Sequence, residues 1–256
     1  MEVFYFIIII IMGLVISSFL NVCIDRLPRR QSLIRPPSHC DVCSRRLSPG
    51  DLVPVFSYLF LKGKCRYCGA RIPPRVLIVE LITPVIFGLL FWKAGLSINF
   101  AIMVFYVCIF LVIFFIDLEH QLILNIMVYP MMFVAFLISS LSPEPSWHNA
   151  LYSLVGGATA FTIFLIIAWI SKGGMGFGDV KMAGMIGLAT GMPGVFAALM
   201  VAILFGGLVA LFLLIFRIKK KKEGIPFGPF LAIGAMTALI WGQEIINWYI
   251  TILNGY

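Results

Sequence analysis

Stretches of about twenty consecutive apolar residues recur along this chain, and they limit its fold more than any other feature. The run from Val3 to Cys23 is interrupted by little except Ser17, Ser18 and Asn21, and the run from Phe105 to Ile116 carries no charge. A backbone in hydrocarbon must satisfy its own N–H and C=O groups, so runs of this length imply helices that cross a bilayer. Further spans are expected near residues 75–94, 98–117, 122–141, 150–171, 179–192, 194–216 and 227–252, eight in all. The sixth is short and rich in small residues and ends at Pro193, so it reads as a short span or as a bent segment buried among its neighbours. With 61% of residues hydrophobic and 12% charged, a soluble domain is excluded. The expected class is an all-α, polytopic membrane protein with a small polar loop.

Charge orients the spans. A secretory signal peptide would open on basic residues and carry a shorter apolar core. Met1-Glu2, the long run, and then Arg26, Arg29 and Arg30 read instead as a retained anchor with its N-terminus outside. Of the 19 Lys and Arg residues, 11 lie between Arg26 and Arg75 and five more in Arg217–Lys222. Basic loops stay in the cytoplasm. Eight crossings put both loops there, and also the 117–125 and 171–179 connections. The net charge of +8 then reflects orientation and contact with acidic lipid headgroups. Nucleic acid is not an expected partner, since no RNA-binding signature or aromatic–basic alternation is present.

The longest polar stretch, residues 25–74, holds Cys40-Asp41-Val42-Cys43 and Cys65-Arg66-Tyr67-Cys68. Two Cys-x-x-Cys pairs with 21 residues between them fit a tetrahedral zinc site, each pair supplying two thiolates. Two disulfides or unrelated thiols are the alternatives, and a reducing cytoplasm disfavours the first. Four thiolates leave no open position, so the Zn2+ would be structural and would fold a loop too small to bury a core. Cys23 and Cys108 lie in apolar runs and read as packing residues.

Two carboxylates sit where ionisable groups are costly. Asp117 closes one apolar run, and Asp179 ends Gly173-Gly174-Met175-Gly176-Phe177-Gly178 and opens another. The topology above brings both to one membrane face. Together they could activate water, one as base and the other as acid. Asp117 could instead cap a helix or pair with Lys181, and Asp179 could be the N-cap of its own span. Proton-coupled transport would also use such residues, and Glu80, Glu119 and Glu244 are further boundary candidates. His39, His120 and His148 show no partner pattern and read as surface or loop residues.

Several motifs in order add a resemblance. Gly174-Met175-Gly176-Phe177-Gly178-Asp179-Val180-Lys181 resembles the G-x-G-D motif of the type IV prepilin peptidases, bacterial inner-membrane aspartic proteases. Ser18-Phe19-Leu20-Asn21-Val22 with Arg26-Leu27-Pro28, the two cysteine pairs, Val79-Glu80-Leu81 and Ile225-Pro226-Phe227-Gly228-Pro229-Phe230 are similar to the family's other signatures. The resemblance implies cleavage of the basic leader of prepilins or pseudopilins at the cytoplasmic face. Asp117 and Asp179 would be catalytic, with Gly176, Gly178 and Lys181 supporting the motif. It also implies N-methylation of the new terminus with S-adenosylmethionine. That activity is linked to the first span (1–24) and the loop at 25–74, with Asn21 and Arg26 as candidate cofactor residues. Residues 75–256 would form the peptidase core. The chain departs from the family at Ile123-Leu124-Asn125, where isoleucine-proline is common, and at Ser17, where glycine is common. A peptidase without methylation, a proton-coupled transporter and a non-catalytic assembly factor are the rival readings.

Overall fold

A computed structural model describes residues 2–141, 147–171, 174–216 and 226–253. Gly173 and the Arg217–Lys222 run lie outside the described residues. Among those described the chain is helical: α1 (Glu2–Arg26), a short α2 (Phe56–Phe60), α3 (Pro74–Ala94), α4 (Ile98–His120), α5 (Asn125–Ser140), α6 (Trp147–Ile170), α7 (Phe177–Ile215) and α8 (Gly228–Leu253). The chain is thus an all-α, multi-pass membrane protein.

By length and composition six helices qualify to cross a membrane, α1, α3, α4, α6, α7 and α8, against the eight spans expected. The difference has two sources. The 16-residue α5 is short for a span. Two expected spans merge in the 39-residue α7, where Gly191 (φ 61°) and Met192 (φ −89°, ψ 138°) leave the helical region just before Pro193. Glycine accepts the positive φ and proline has no N–H to return to the preceding turn, so the chain bends between the two expected spans.

The chain divides into two compact units at Cys108 and Ile109, inside α4. In the first unit α1 packs on α3. A methyl at Gly13 would lie 2.6 Å from the Pro84 Cα, so only hydrogen lets these backbones meet. Toward the loop end of the pair the contacts turn polar. Asn21 Nδ2 donates to the Val76 carbonyl (3.2 Å), Arg75 donates to Asn21 Oδ1 (3.1 Å), and Arg75 also pairs with Asp25 (2.5 Å). These bonds fix the register of α1 against α3 and anchor both ends of the loop between them.

In the second unit α7 is the hub, packed by α5, α6 and α8. A methyl at Gly156 of α6 would stand 2.7 Å from the Gly187 carbonyl oxygen of α7, and Ser153 Oγ donates to the Leu188 carbonyl (2.7 Å). Gly234 of α8 is pressed likewise against the Ala198 carbonyl of α7. Lipid tails are as apolar as leucine, so close backbone approach and dispersion hold such helices together. This packing collects the end of α4 and the starts of α7 and α8.

Candidate active site and metal centre

Asp117 lies one turn from the end of α4 and is 5% exposed. Its Oδ2 is buried and has no hydrogen-bond partner among the described residues. The backbone of Gly228, the first residue of α8, comes so near that a methyl there would sit 2.6 Å from Oδ2. A helix start presents N–H groups with no partner in the helix and a partial positive charge, both favourable beside a carboxylate. Asp117 therefore faces a helix terminus rather than capping its own.

Asp179 is the third residue of α7 and half-buried. The N-cap is Gly176, in extended conformation, and the Asp179 N–H donates to its carbonyl (3.1 Å), so the aspartate does not cap its own helix. The glycines have spatial reasons to be there. A methyl at Gly176 would meet Asp179 Oδ2 at 3.5 Å, and one at Gly178 would meet the Ile123 Cβ at 3.0 Å. Both carboxylates belong to the second unit and interact electrostatically with each other.

Lys181 does not pair with Asp117. Its ammonium donates to Asn125 Oδ1 (3.0 Å) and lies 4.9 Å from the Phe177 ring and 5.2 Å from the Tyr129 ring. Amide and ring faces hold the cation and tie the start of α5 to the start of α7. Asn125, read from sequence only as part of a departure from the family pattern, is thus the partner of the motif lysine. Glu119 and Glu244 are exposed residues of α4 and α8, as are His120 and His148 of α4 and α6.

The cysteines converge in the first unit. The Sγ atoms of Cys40, Cys43, Cys65 and Cys68 all lie within 4.8 Å of one another, and none is in a disulfide. Each pair closes its own turn: the Ser44 N–H donates to the Cys40 carbonyl, and the Gly69 N–H to the Cys65 carbonyl. Ser44 (φ 57°) and Gly69 (φ 72°) take the same left-handed position in the two turns. The His39–Arg46 and Lys64–Arg71 bridges then frame two like knuckles. The sulfurs of Cys40 and Cys68 are 3.8 Å apart. A tetrahedron of thiolates about 2.3 Å from a zinc ion has an edge of ~3.8 Å, so the donor set fits a four-coordinate metal. Backbone N–H groups of Cys68 and Tyr67 push the Cys65 thiol down to about 7, while Cys68, despite the Ala70 N–H, is raised by desolvation and the neighbouring thiols, so the sulfurs titrate together as one set.

Asp51 braces the second knuckle. Its carboxylate accepts from the Ser48 hydroxyl (2.7 Å), the Ser48 N–H (3.0 Å) and Arg66 Nε (2.6 Å), and Arg66 directly follows Cys65. These donors, the Ser48 hydroxyl foremost, hold the Asp51 carboxyl below its ordinary range.

A cavity of about 260 Å³ lies beside this loop within the first unit, with Asn21, Arg26, Tyr58, Arg75 and Glu80 in its wall. The two expected cofactor residues therefore meet at one cavity. Asn21 uses its amide oxygen on Arg75 and its amide nitrogen on Val76, which makes it a strut between α1 and α3. Arg26 is 8% exposed and donates to the Ser32 carbonyl (2.9 Å). Glu80, 6% exposed, accepts from the Val55 N–H (2.7 Å) and so holds a β-branched residue at φ 65°. Ser17 is fully buried with its hydroxyl on the Leu14 carbonyl, so serine fits where glycine is common.

Comparison with known proteins covers both units. Residues 11–94 match the Bacterial Peptidase A24 N-terminal domain, and residues 104–211 match the Type IV leader peptidase family. A Bacillus subtilis protein named prepilin leader peptidase/N-methyltransferase is 33% identical over 251 residues, covering 97% of this chain and 99% of the relative. Proteins of the same name from Pseudomonas aeruginosa and Stutzerimonas stutzeri are each 30% identical, covering 94% of this chain and 92% of the relative. No solved structure matches the chain.

Proposed function

Because this chain belongs to the type IV leader peptidase family, we propose that it removes the basic leader of prepilins or pseudopilins and then methylates the new N-terminal residue. What supports the cleavage reading is that Asp117, buried, and Asp179, half-buried, both lie in the second unit, where the charge of Asp117 acts on Asp179. In this reading one aspartate is ionised and takes a proton from a water whose oxygen attacks the scissile carbonyl carbon. The other is protonated and donates to the carbonyl oxygen. Collapse of the tetrahedral species breaks the C–N bond, and the leaving amine takes its proton from the pair. The leader departs with a carboxyl terminus, and the pilin retains a free amine.

The α8 terminus at Gly228 holds Asp117 in place, Gly178 lets the start of α7 pack closely on Ile123, and Gly176 adds no side chain beside the Asp179 carboxylate. Lys181 positions the α7 start through Asn125. The site would face the cytoplasm of a bacterium from its inner membrane, as the charge map of the sequence favours. Residues 75–256 would supply the peptidase core, with the loop at 25–74 serving methylation.

Zinc is the metal that Cys40, Cys43, Cys65 and Cys68 would hold, with a structural role because no coordination position stays open. S-adenosylmethionine, when bound, supplies an electrophilic methyl group. The chain must then hold that donor and exclude water while the pilin amine, having given up its proton, takes the methyl.

Intact-mass spectrometry of a prepilin incubated with the protein and S-adenosylmethionine tests both steps. The expected product lacks the leader and carries one added methyl, and Asp117→Asn or Asp179→Asn leaves the substrate uncut. Cleavage without methylation would remove the second activity. An intact substrate, across several prepilins, would sink the peptidase reading and favour proton transport by the same aspartates.

A further inference from the structure

The charges around the cavity of the first unit do not balance pair by pair. Three matched pairs line it: Arg29–Asp41, Arg66–Asp51 and Arg75–Asp25. Arg71 also reaches the wall but is exposed and solvated. That leaves Arg26 and Glu80, more than nine-tenths buried, on α1 and α3. Neither forms an ion pair among the described residues, with each other or with any other group.

Buried charges are ordinarily paired, because a charge taken out of water without a counter-charge loses more hydration than a neutral hydrogen bond returns. Arg26 has the Ser32 carbonyl and the C-terminal end of α1 as partial compensation. Glu80 has one backbone N–H. Neither partner is a counter-charge. A cavity walled by one buried cation and one buried anion, not neutralising each other, is complementary to a zwitterion.

An α-amino acid group is such a zwitterion, with carboxylate and ammonium attached to one carbon, and S-adenosylmethionine carries one on its methionine half. We propose that this cavity is the methyl-donor site, with Arg26 receiving the carboxylate and Glu80 facing the cationic end. The assignment rests on the methyl-transfer reading above and places the donor in the unit that also holds the four cysteines. It separates the two residues expected from sequence: Arg26 contacts the ligand, whereas Asn21 braces the wall. A guanidinium can grip a carboxylate through two N–H groups at once, which makes this contact the stronger of the two.

The test is a ratio measured on the full-length protein in detergent. Calorimetric titration compares S-adenosylhomocysteine, which keeps the amino acid group, with methylthioadenosine, which lacks it. Wild-type protein should prefer the first by about ten- to a hundredfold, the worth of one or two charge-assisted contacts. Arg26→Gln and Glu80→Gln should each cut that preference about tenfold or more, and Arg26→Lys should restore part of it. Misfolding lowers both affinities in one sample and leaves their ratio unchanged, so a lost preference reports the contact itself. An unchanged preference in Arg26→Gln and Glu80→Gln overturns the location while leaving methylation standing. Failure of the wild-type protein to bind either compound, with methylated product also absent, overturns the methyl-transfer reading beneath it.

Discussion

Gly228 illustrates how one missing side chain can decide a site. Its neighbour is the Asp117 carboxylate, and a methyl there would stand 2.6 Å from Oδ2, well inside van der Waals contact. Gly228→Ala must push Asp117 away from the start of α8. A displacement near 1 Å in a reacting group costs about a hundredfold in rate, so leader cleavage by Gly228→Ala should fall by that order with helix content unchanged in circular dichroism. Cleavage within a fewfold of wild type would mean that Asp117 tolerates the shift and that its contact with α8 has no bearing on chemistry. Asn125 is a second position of this kind, because it holds Lys181 and thereby the α5 and α7 starts together. Asn125→Ala should slow cleavage about tenfold, the effect of one lost hydrogen bond to a charged group, while Asn125→Asp should retain the clamp and most of the rate. Kinetics of both variants on one prepilin check this.

At the scale of elements, the α6–α7 contact depends on glycine at Gly187, whereas Gly207, farther along α7, faces open space. A methyl at Gly187 would overlap the Gly156 carbonyl, whereas one at Gly207 meets nothing within 4 Å. Gly187→Ala should therefore lower the thermal midpoint through a cost of about 1–3 kcal/mol from overpacking. Gly207→Ala, in the same helix, should be neutral or more stable by up to ~1 kcal/mol, since alanine loses less backbone entropy. Equal midpoints for the two variants would show that the close approach carries no energetic weight. The knuckle element responds to pH through Asp51. Its carboxyl is held below the ordinary carboxylate value of about 3.9, so its stabilising contribution is complete above that value and is lost as pH falls through the lowered folded value. At neutral pH Asp51→Asn should release zinc to a chelator several times faster than wild type, because Arg66 beside Cys65 loses its brace. A colorimetric zinc indicator reads the release.

For the whole molecule, the expected metal and the two aspartates lie in different units, Cys40 to Cys68 in the first and Asp117 and Asp179 in the second. Chelation should then lower methylation more than cleavage, since a loop without its metal has too small a core to stay folded. Mass spectrometry of one reaction reports both, as the ratio of cleaved unmethylated to cleaved methylated product. Parallel loss of the two activities would mean that the metal supports the peptidase as well. The same two-unit arrangement accounts for the separate matches at 11–94 and 104–211.

Much of this was legible in the sequence because its cause is local. A run of twenty apolar residues has few options in a bilayer, and two Cys-x-x-Cys pairs carry their ligand geometry in their spacing. The helices, the four-cysteine cluster and the two exceptional aspartates therefore followed from residues near one another in the chain. Whether residues 179–192 form a separate short span or a segment bent at Gly191–Met192 was left open, because it turned on whether a glycine and a proline end a helix or merely tilt it, which neighbouring helices decide. Partner choice was equally out of reach. Lys181 was open to Asp117 and went to Asn125, Asn21 became a strut to Arg75, and Arg26 and Glu80 were left facing one cavity without counter-ions among the described residues. These pairings join residues 54 to 56 positions apart, or leave residues unjoined, according to how α1 meets α3 and α5 meets α7. Composition and period set which surfaces must be buried. Only the packed backbone sets which polar groups then find each other.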